Sequence, residues 1–481
     1  PDTTPGPGED GEIVTVAEGQ LQGTINDGIY RYLGVPYAEA AERFVTAGPV
    51  TPWEGVLKAD SYGPMSPQGS MLGFGAGNQD GTDNNCQNLN IWTPGLNDGG
   101  LRPVLVWLHG GGFSTGTAND SSYDGEALAK NGDVVVVSVN HRLNVFGYLD
   151  LSAYDEKYKD SANVGMWDII AALEWIQQNI EVFGGDPDNV TVFGQSGGGA
   201  KVLGLMSTPY AVGLFHKGIV ESGVTETVGV NFTSQEASTR LAENLLAELN
   251  IAPENIEQLQ IVAVDKLQSA ATKALDATAQ EFQIPAPLTD GYQMEWEPVV
   301  DGDFLPTSPV TETNFADAGQ DIPLLIGSNL NEWTGFYRTS TDGVDTDALS
   351  AALKTAYPDK TDLTADHVDT LIRLPILKTM SHKADQNGAP VYAYLLTYGS
   401  SNHGAEIPYI FRHSDVSAMN DLFSSIWVNF ARSGVPSADS LPTWEPYTRE
   451  GGATMLLDTT SQLVYHHDAA LLKLLAPDYE Y

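Results

Sequence analysis

The chain has 481 residues, 42% hydrophobic and 9% aromatic, enough to bury a large core and more than a single core usually holds. Its 23 Lys and Arg face 63 Asp and Glu, a formal net charge of -40, which argues against nucleic acid and polyanionic ligands and favours neutral or cationic small molecules. No apolar run approaches the roughly 20 residues that span a bilayer, and a charged fraction of only 18% describes an acidic folded surface rather than a disordered tail.

Residues 1–11, rich in Pro, Gly and acid, read as a flexible leader, and a start at Pro1 without Met suggests an exported protein, secreted or periplasmic. Residues 12–16 and 21–24 alternate like an antiparallel hairpin. After a Pro- and Gly-rich stretch at 63–81 comes Cys86, the one cysteine, so no intramolecular disulfide can form. Residues 89–92, 104–108 and 134–139 read as strands, the second a continuous apolar run of the kind buried on both faces. Residues 164–179 carry apolar positions at helical spacing, and Gly184-Gly185-Asp186-Pro187 reads as a turn into the next strand. A polar-faced helical insertion is expected around 235–280, further buried strands at 323–327 and 391–396, and a helix over 418–432 that stops before Gly434 and Pro436. Alternating buried strands and amphipathic helices predict an α/β fold, a mainly parallel sheet covered on both faces, in one domain over 12–481.

The stretch Val190-Thr191-Val192-Phe193-Gly194-Gln195-Ser196-Gly197-Gly198 reads as strand then sharp turn, and helical spacing resumes at Ala200. A serine centred in G-x-S-x-G sits on a strained turn with its hydroxyl exposed at the sheet's carboxyl edge, the setting of a nucleophile. A serine needs an imidazole to take its proton and a carboxylate to orient that imidazole. Of the histidines after Ser196, His403 alone lies in a glycine-containing loop directly after a predicted buried strand; His216, His367 and His382 lie in helical contexts, and His413, His466 and His467 in loops. Glu332 follows a strand by one short loop, with Asp301, Glu312, Asp317 and Asp321 as competing acids. Gly111 and Gly112, at the end of strand 104–108, and Gly197, after the serine, offer backbone N–H groups to a developing oxyanion. The acidic run at 342–347 lacks a full calcium-ligand pattern, so no metal is expected.

Over nearly its whole length the chain resembles the type-B carboxylesterase and cholinesterase family of α/β-hydrolases. The resemblance rests on Gly34-Val35-Pro36-Tyr37-Ala38, Asn85-Cys86-Gln87-Asn88-Leu89-Asn90-Ile91-Trp92, the glycine run after His109, Asn140-His141-Arg142-Leu143, the serine turn, Glu221-Ser222-Gly223, Asn329 to Glu332 and His403-Gly404-Ala405-Glu406. It implies a serine esterase that works through an acyl-enzyme without a cofactor, with Ser196, Glu332 and His403 as triad, Gly111, Gly112 and Gly197 as oxyanion hole, and Ser222 in support. Its expected partner is a neutral small-molecule ester; a non-catalytic binding protein or an amidase on the same triad are the rival readings. Three departures from the family pattern stand out. Gln195 and Gly197 flank the serine where Glu and Ala are common, Cys86 lacks the partner of a frequent disulfide, and no Trp lies at 63–86 where cholinesterases stack choline.

Overall fold

The structure is a computed structural model that describes residues 8–72, 77–226 and 232–481. Fifteen strands are formed among these residues: β1 (Glu9–Val16), β2 (Gly19–Asn26), β3 (Ile29–Pro36), β4 (Val56–Lys58), β5 (Asn88–Thr93), β6 (Arg102–Leu108), β7 (Val135–Val139), β8 (Gly185–Gln195), β9 (Lys217–Glu221), β10 (Thr233–Ser234), β11 (Val299–Val300), β12 (Leu324–Asn329), β13 (Val391–Leu396), β14 (Ala453–Leu457) and β15 (Gln462–Tyr465). All but β10 and β11 join one sheet in the order β1-β2-β3-β5-β7-β6-β8-β9-β12-β13-β14-β15, with β4 beside β2. The run from β7 to β14 is parallel throughout, flanked by antiparallel strands at both edges.

The parallel strands read as unbroken apolar runs because each face of the sheet has its own core. Val104, Val106 and Leu108 of β6 point into one cluster with Val190 and Val192 of β8; Leu105, Trp107 and Phe193 point into the other. Each such side chain, fully buried, is worth about 1.5 to 3 kcal/mol. The helices divide accordingly. In chain order they are α1 (Glu126–Gly132), α2 (Asn144–Tyr148), α3 (Val164–Asn179), α4 (Gly197–Leu205), α5 (Gln235–Leu249), α6 (Val264–Phe282), α7 (Thr346–Ala356), α8 (Arg373–Asp385), α9 (Ile407–Ile410), α10 (Ser417–Ser433) and α11 (Ala469–Leu475). Residues of α3, α4 and α8 fill the first cluster, and residues of α1 and α10 the second.

Two sequence expectations are corrected. The leader ends sooner than Gly11, because Glu9 and Asp10 pair with Ile25 and Thr24 of β2; residues 1–7 lie outside the described residues. The presumed turn at Gly184 is a single left-handed helix cap at φ 71°, and Gly185 already pairs with Arg102 of β6. The insertion holds α5 and α6, packed on each other through Leu241, Leu245, Leu267 and Ala271.

Cys86 is fully buried and unpaired. Hydrogen bonds hold its loop where a disulfide would otherwise serve: Asn85 Oδ1 accepts from Ala40 N at 2.9 Å, Asn84 Nδ2 donates to Ala40 O at 3.1 Å, and Gln87 Nε2 donates to Asp168 at 3.1 Å. Asp168 in turn forms a fully buried ion pair with Arg142 at 2.7 Å.

A net charge of -40 on one compact chain is self-repelling, and salt screens exposed charges beyond a Debye length of about 10 Å at 0.1 M. Melting temperature is therefore expected to rise as NaCl goes from low to moderate concentration in a thermal-denaturation series. A flat or falling curve would show that the exposed ion pairs, which salt weakens, outweigh the repulsion.

Candidate active site

β6 and β8 are parallel neighbours in register from Leu108 to Gly194, so the residues after each strand emerge side by side at the sheet's carboxyl edge. The chain leaves β6 for β7 on one side and returns to β8 on the other, a reversal of winding that opens a crevice between them. Ser196 stands there between β8 and α4 at φ 58°, ψ -124°, a conformation unfavourable for any residue with a Cβ. Two backbone bonds hold it: Ser196 N donates to Glu221 O at 2.8 Å, and its carbonyl accepts from Ala200 N at 3.0 Å. The glycines that follow are required by contact. A Cβ on Gly198 would lie 1.9 Å from Leu108 O, and one on Gly197 would lie 2.3 Å from Gly112 O.

The loop after β6 packs onto this turn: a Cβ on Gly110 would stand 3.4 Å from Ser196 Cβ. Its two central peptides are pinned by their carbonyls. Gly110 O accepts from His109 Nδ1 at 2.8 Å, which assigns the proton to that nitrogen, and Gly111 O accepts from Thr115 N at 3.0 Å and Ser114 N at 3.2 Å. In a trans peptide the N–H points opposite to the C=O. The N–H groups of Gly111 and Gly112 are thereby turned away from these partners, and neither has an acceptor among the described residues.

Across β8 the strand ends carry a hydroxyl, a carboxylate and an imidazole. Ser222 follows β9, Glu332 follows β12, and His403 follows β13. His403 Nδ1 donates to Glu332 Oε2 at 2.5 Å, and His403 N donates to Glu332 O at 3.0 Å. The other carboxylate oxygen accepts from Ser222 Oγ at 2.5 Å and Asn329 N at 2.7 Å. Trp333 stacks on the imidazole with centroids 4.3 Å apart. His403 Nε2 is buried without a hydrogen-bond partner among the described residues. A Cβ on the adjacent Gly404 would lie 3.7 Å from Gln195 Nε2, so the histidine loop packs against the residue before Ser196. Two of the competing acids are engaged elsewhere: Asp301 accepts from Asn163 and Leu305, and Glu312 pairs with Lys378 at 2.9 Å.

The carboxylesterase family model matches residues 10–365 and 348–471. The chain belongs to the carboxylesterase family. It is 33% identical to the para-nitrobenzyl esterase of Bacillus subtilis, over 93% of this chain and 95% of that protein, and 30% identical to the liver carboxylesterase of Sus scrofa, over 92% and 88%. A solved structure of an esterase from Clostridium hathewayi, described as able to hydrolyse aliphatic aromatic polyesters, superposes with a TM-score of 0.85 at 33% identity, covering 97% of this chain and 98% of that one. This carboxylesterase is a serine hydrolase of carboxylic esters with the α/β-hydrolase fold.

Within that family Gly197 acquires a local reason. The methyl of the commoner alanine would collide with Gly112 O unless the β6 loop moved away. Around the imidazole lies a set of buried carboxyls to which the sequence reading gave no role. Burial, then the charge of Glu332, pushes Glu406 and Asp369 each up to about 7; burial and Glu406 push Glu221 well above the carboxylate range. Burial pulls His403 down, yet the charge and hydrogen bond of Glu332, then Glu406 and Asp369, outweigh it and leave the imidazole above its ordinary 6.5. No group of three metal-ligating side chains occurs among the described residues.

Proposed function

We propose that Ser196 is the nucleophile of this esterase, His403 its general base and acid, and Glu332 the carboxylate that orients and stabilises the imidazolium. The observation that carries the reading is the bond from His403 Nδ1 to Glu332, which leaves Nε2 unpartnered in a loop that packs, at Gly404, against Gln195, the residue before Ser196. In the proposed cycle Nε2 takes the Ser196 proton as Oγ attacks the ester carbonyl. The N–H groups of Gly111, Gly112 and Gly197 receive the oxyanion, and the imidazolium protonates the departing alcohol. Water, deprotonated by the same nitrogen, then releases the acid from Ser196. Ser222 supports this by fixing the Glu332 oxygen that does not face His403. The cycle needs no cofactor. Neutral esters of small molecules suit a chain of charge -40, and the names of its relatives support the same class.

Phenylmethylsulfonyl fluoride should label Ser196 and no other serine, read by mass mapping, with loss of p-nitrophenyl butyrate hydrolysis in step. An adduct elsewhere rejects the assignment. The base works only when unprotonated, and activity is lost as pH falls through its pKa. Because that pKa is raised, the acid limb of kcat/KM should have its midpoint above pH 6.5. A midpoint below 6.5 would contradict His403 as the base in this setting. A matched ester and amide pair separates esterase from amidase.

A further inference from the structure

Lys201 is fully buried on α4, one helical turn beyond Gly197. Its Nζ donates to His109 O at 3.0 Å and to Gly112 O at 2.7 Å, and lies 5.0 Å above the centre of the Phe113 ring. No carboxylate pairs with it among the described residues. A buried ammonium without a counter-ion is unfavourable, and a methionine of similar length would fill the same space without that penalty. The two neighbouring imidazoles, His109 and His141, stack face to face at 4.9 Å and are held neutral by burial, His109 down at about 3. Burial also brings Lys201 down to about 7.

The partners of Lys201 complete the bonding of the loop after β6. The peptides 110–111 and 111–112 are pinned by His109 Nδ1 and by Ser114 and Thr115; the peptides 109–110 and 112–113, on either side, are pinned by Lys201. All four consecutive carbonyls are thereby occupied. The ends of this clamp sit on different elements: the loop carries Gly111 and Gly112, whereas α4 begins at Gly197, directly after Ser196. A strut between them sets the distance between the first two N–H donors and the third.

We propose that Lys201 is a positioning residue for the oxyanion hole, tying the His109–Gly112 loop to the helix that carries the nucleophile through the carbonyl oxygens of His109 and Gly112. This rests on the triad and oxyanion-hole reading above. Removing the tie should be felt where the oxyanion forms rather than where the neutral ester first binds.

The test compares Lys201→Met and Lys201→Gln with wild type. Removing one oxyanion donor directly costs about 10²- to 10³-fold in kcat, so loosening the loop through Lys201→Met should cost on the order of 10²-fold. KM should change less than about threefold, since ground-state binding does not use the hole. The Ki of a trifluoromethyl ketone, which adds Ser196 Oγ and places an oxyanion in the hole, should rise by the same factor as kcat falls. Lys201→Gln keeps two N–H donors on a shorter arm and should lie between; it carries the test if Lys201→Met does not fold. Wild-type kcat and Ki in either folded variant, or a loss of kcat with Ki unchanged, overturns the proposal. Failure of wild-type Ser196 to take the sulfonyl label would instead reject the triad reading, independently of Lys201.

Discussion

Ser196→Ala is expected to abolish turnover, lowering kcat on the order of 10⁶-fold, the scale seen when a serine hydrolase loses its nucleophile. The structure makes the substitution a clean one. Both bonds that hold residue 196, to Glu221 O and from Ala200 N, use the backbone, and alanine keeps a Cβ at the same strained φ of 58°. The elbow should keep its shape, and melting temperature should stay close to wild type. His403→Ala should cost a similar factor, and the double variant little more than either alone, because the two groups act as one unit. Residual hydrolysis then reflects only oxyanion stabilisation and binding. If Ser196→Ala retained more than about a thousandth of kcat, the nucleophile would have to be sought elsewhere.

The second large effect is expected at Glu332. Its two oxygens serve different donors: Oε1 receives Ser222 Oγ and Asn329 N, and Oε2 receives His403 Nδ1. Glutamine supplies one oxygen and one NH2. Oriented with its oxygen toward the two donors, it turns the NH2 to His403 and forces Nδ1 to accept, moving the ring proton to Nε2, where it blocks proton uptake from Ser196. The reverse orientation sets the NH2 against both donors. Glu332→Gln should therefore lose about 10³- to 10⁴-fold in kcat, as other triads do when the acid becomes an amide. Whatever activity remains should show an acid limb at lower pH than wild type, because the charge that raises His403 is gone. Neutralising Asp301, Glu312, Asp317 or Asp321 should cost less than about tenfold. Retention of a tenth of wild-type turnover in Glu332→Gln, with collapse in one of the others, would move the acid.

The buried strands β6, β7, β12 and β13 and the serine turn were legible because continuous apolar runs and a glycine-flanked serine admit few other readings. The position of Glu332 and His403 each after a buried strand was legible for the same reason, whereas the adjacency of those two strands in the sheet was not. Other parts carried weaker signals. β9 is only Lys-Gly-Ile-Val-Glu, too short and too mixed to stand out, although it lies between β8 and β12 and places Ser222. Asp369 was hidden among 63 acidic residues, and Glu221 and Glu406 stood in recognised motifs without a role, since nothing local marks which carboxyl a fold will bury. Trp333 was one aromatic in a loop until its stack on His403 became visible. Lys201 did leave a signal: a lysine inside the otherwise apolar run of α4 is out of place on a buried helix, and its reason appears only once the carbonyls of the β6 loop are seen beneath it.

The site is split across β8. The loop carrying Gly111 and Gly112 arises on the β6 side, whereas Ser222, Glu332 and His403 arise from β9, β12 and β13 on the other. Between β9 and β12 the chain makes a long excursion that holds α5 and α6 before it returns to the sheet. Beyond Ser222 at its start, that excursion supplies none of the groups proposed here to handle charge or protons. Apart from Phe232, whose ring meets that of Phe113 edge-on at 6.0 Å, it can be resurfaced without changing a residue of either half of the chemical apparatus. An engineer seeking new substrates therefore has a stretch to randomise that leaves the reactive centre alone, and libraries confined to residues 233–322 should keep a larger share of active members than libraries of equal size spread over the loops after β6 or β13.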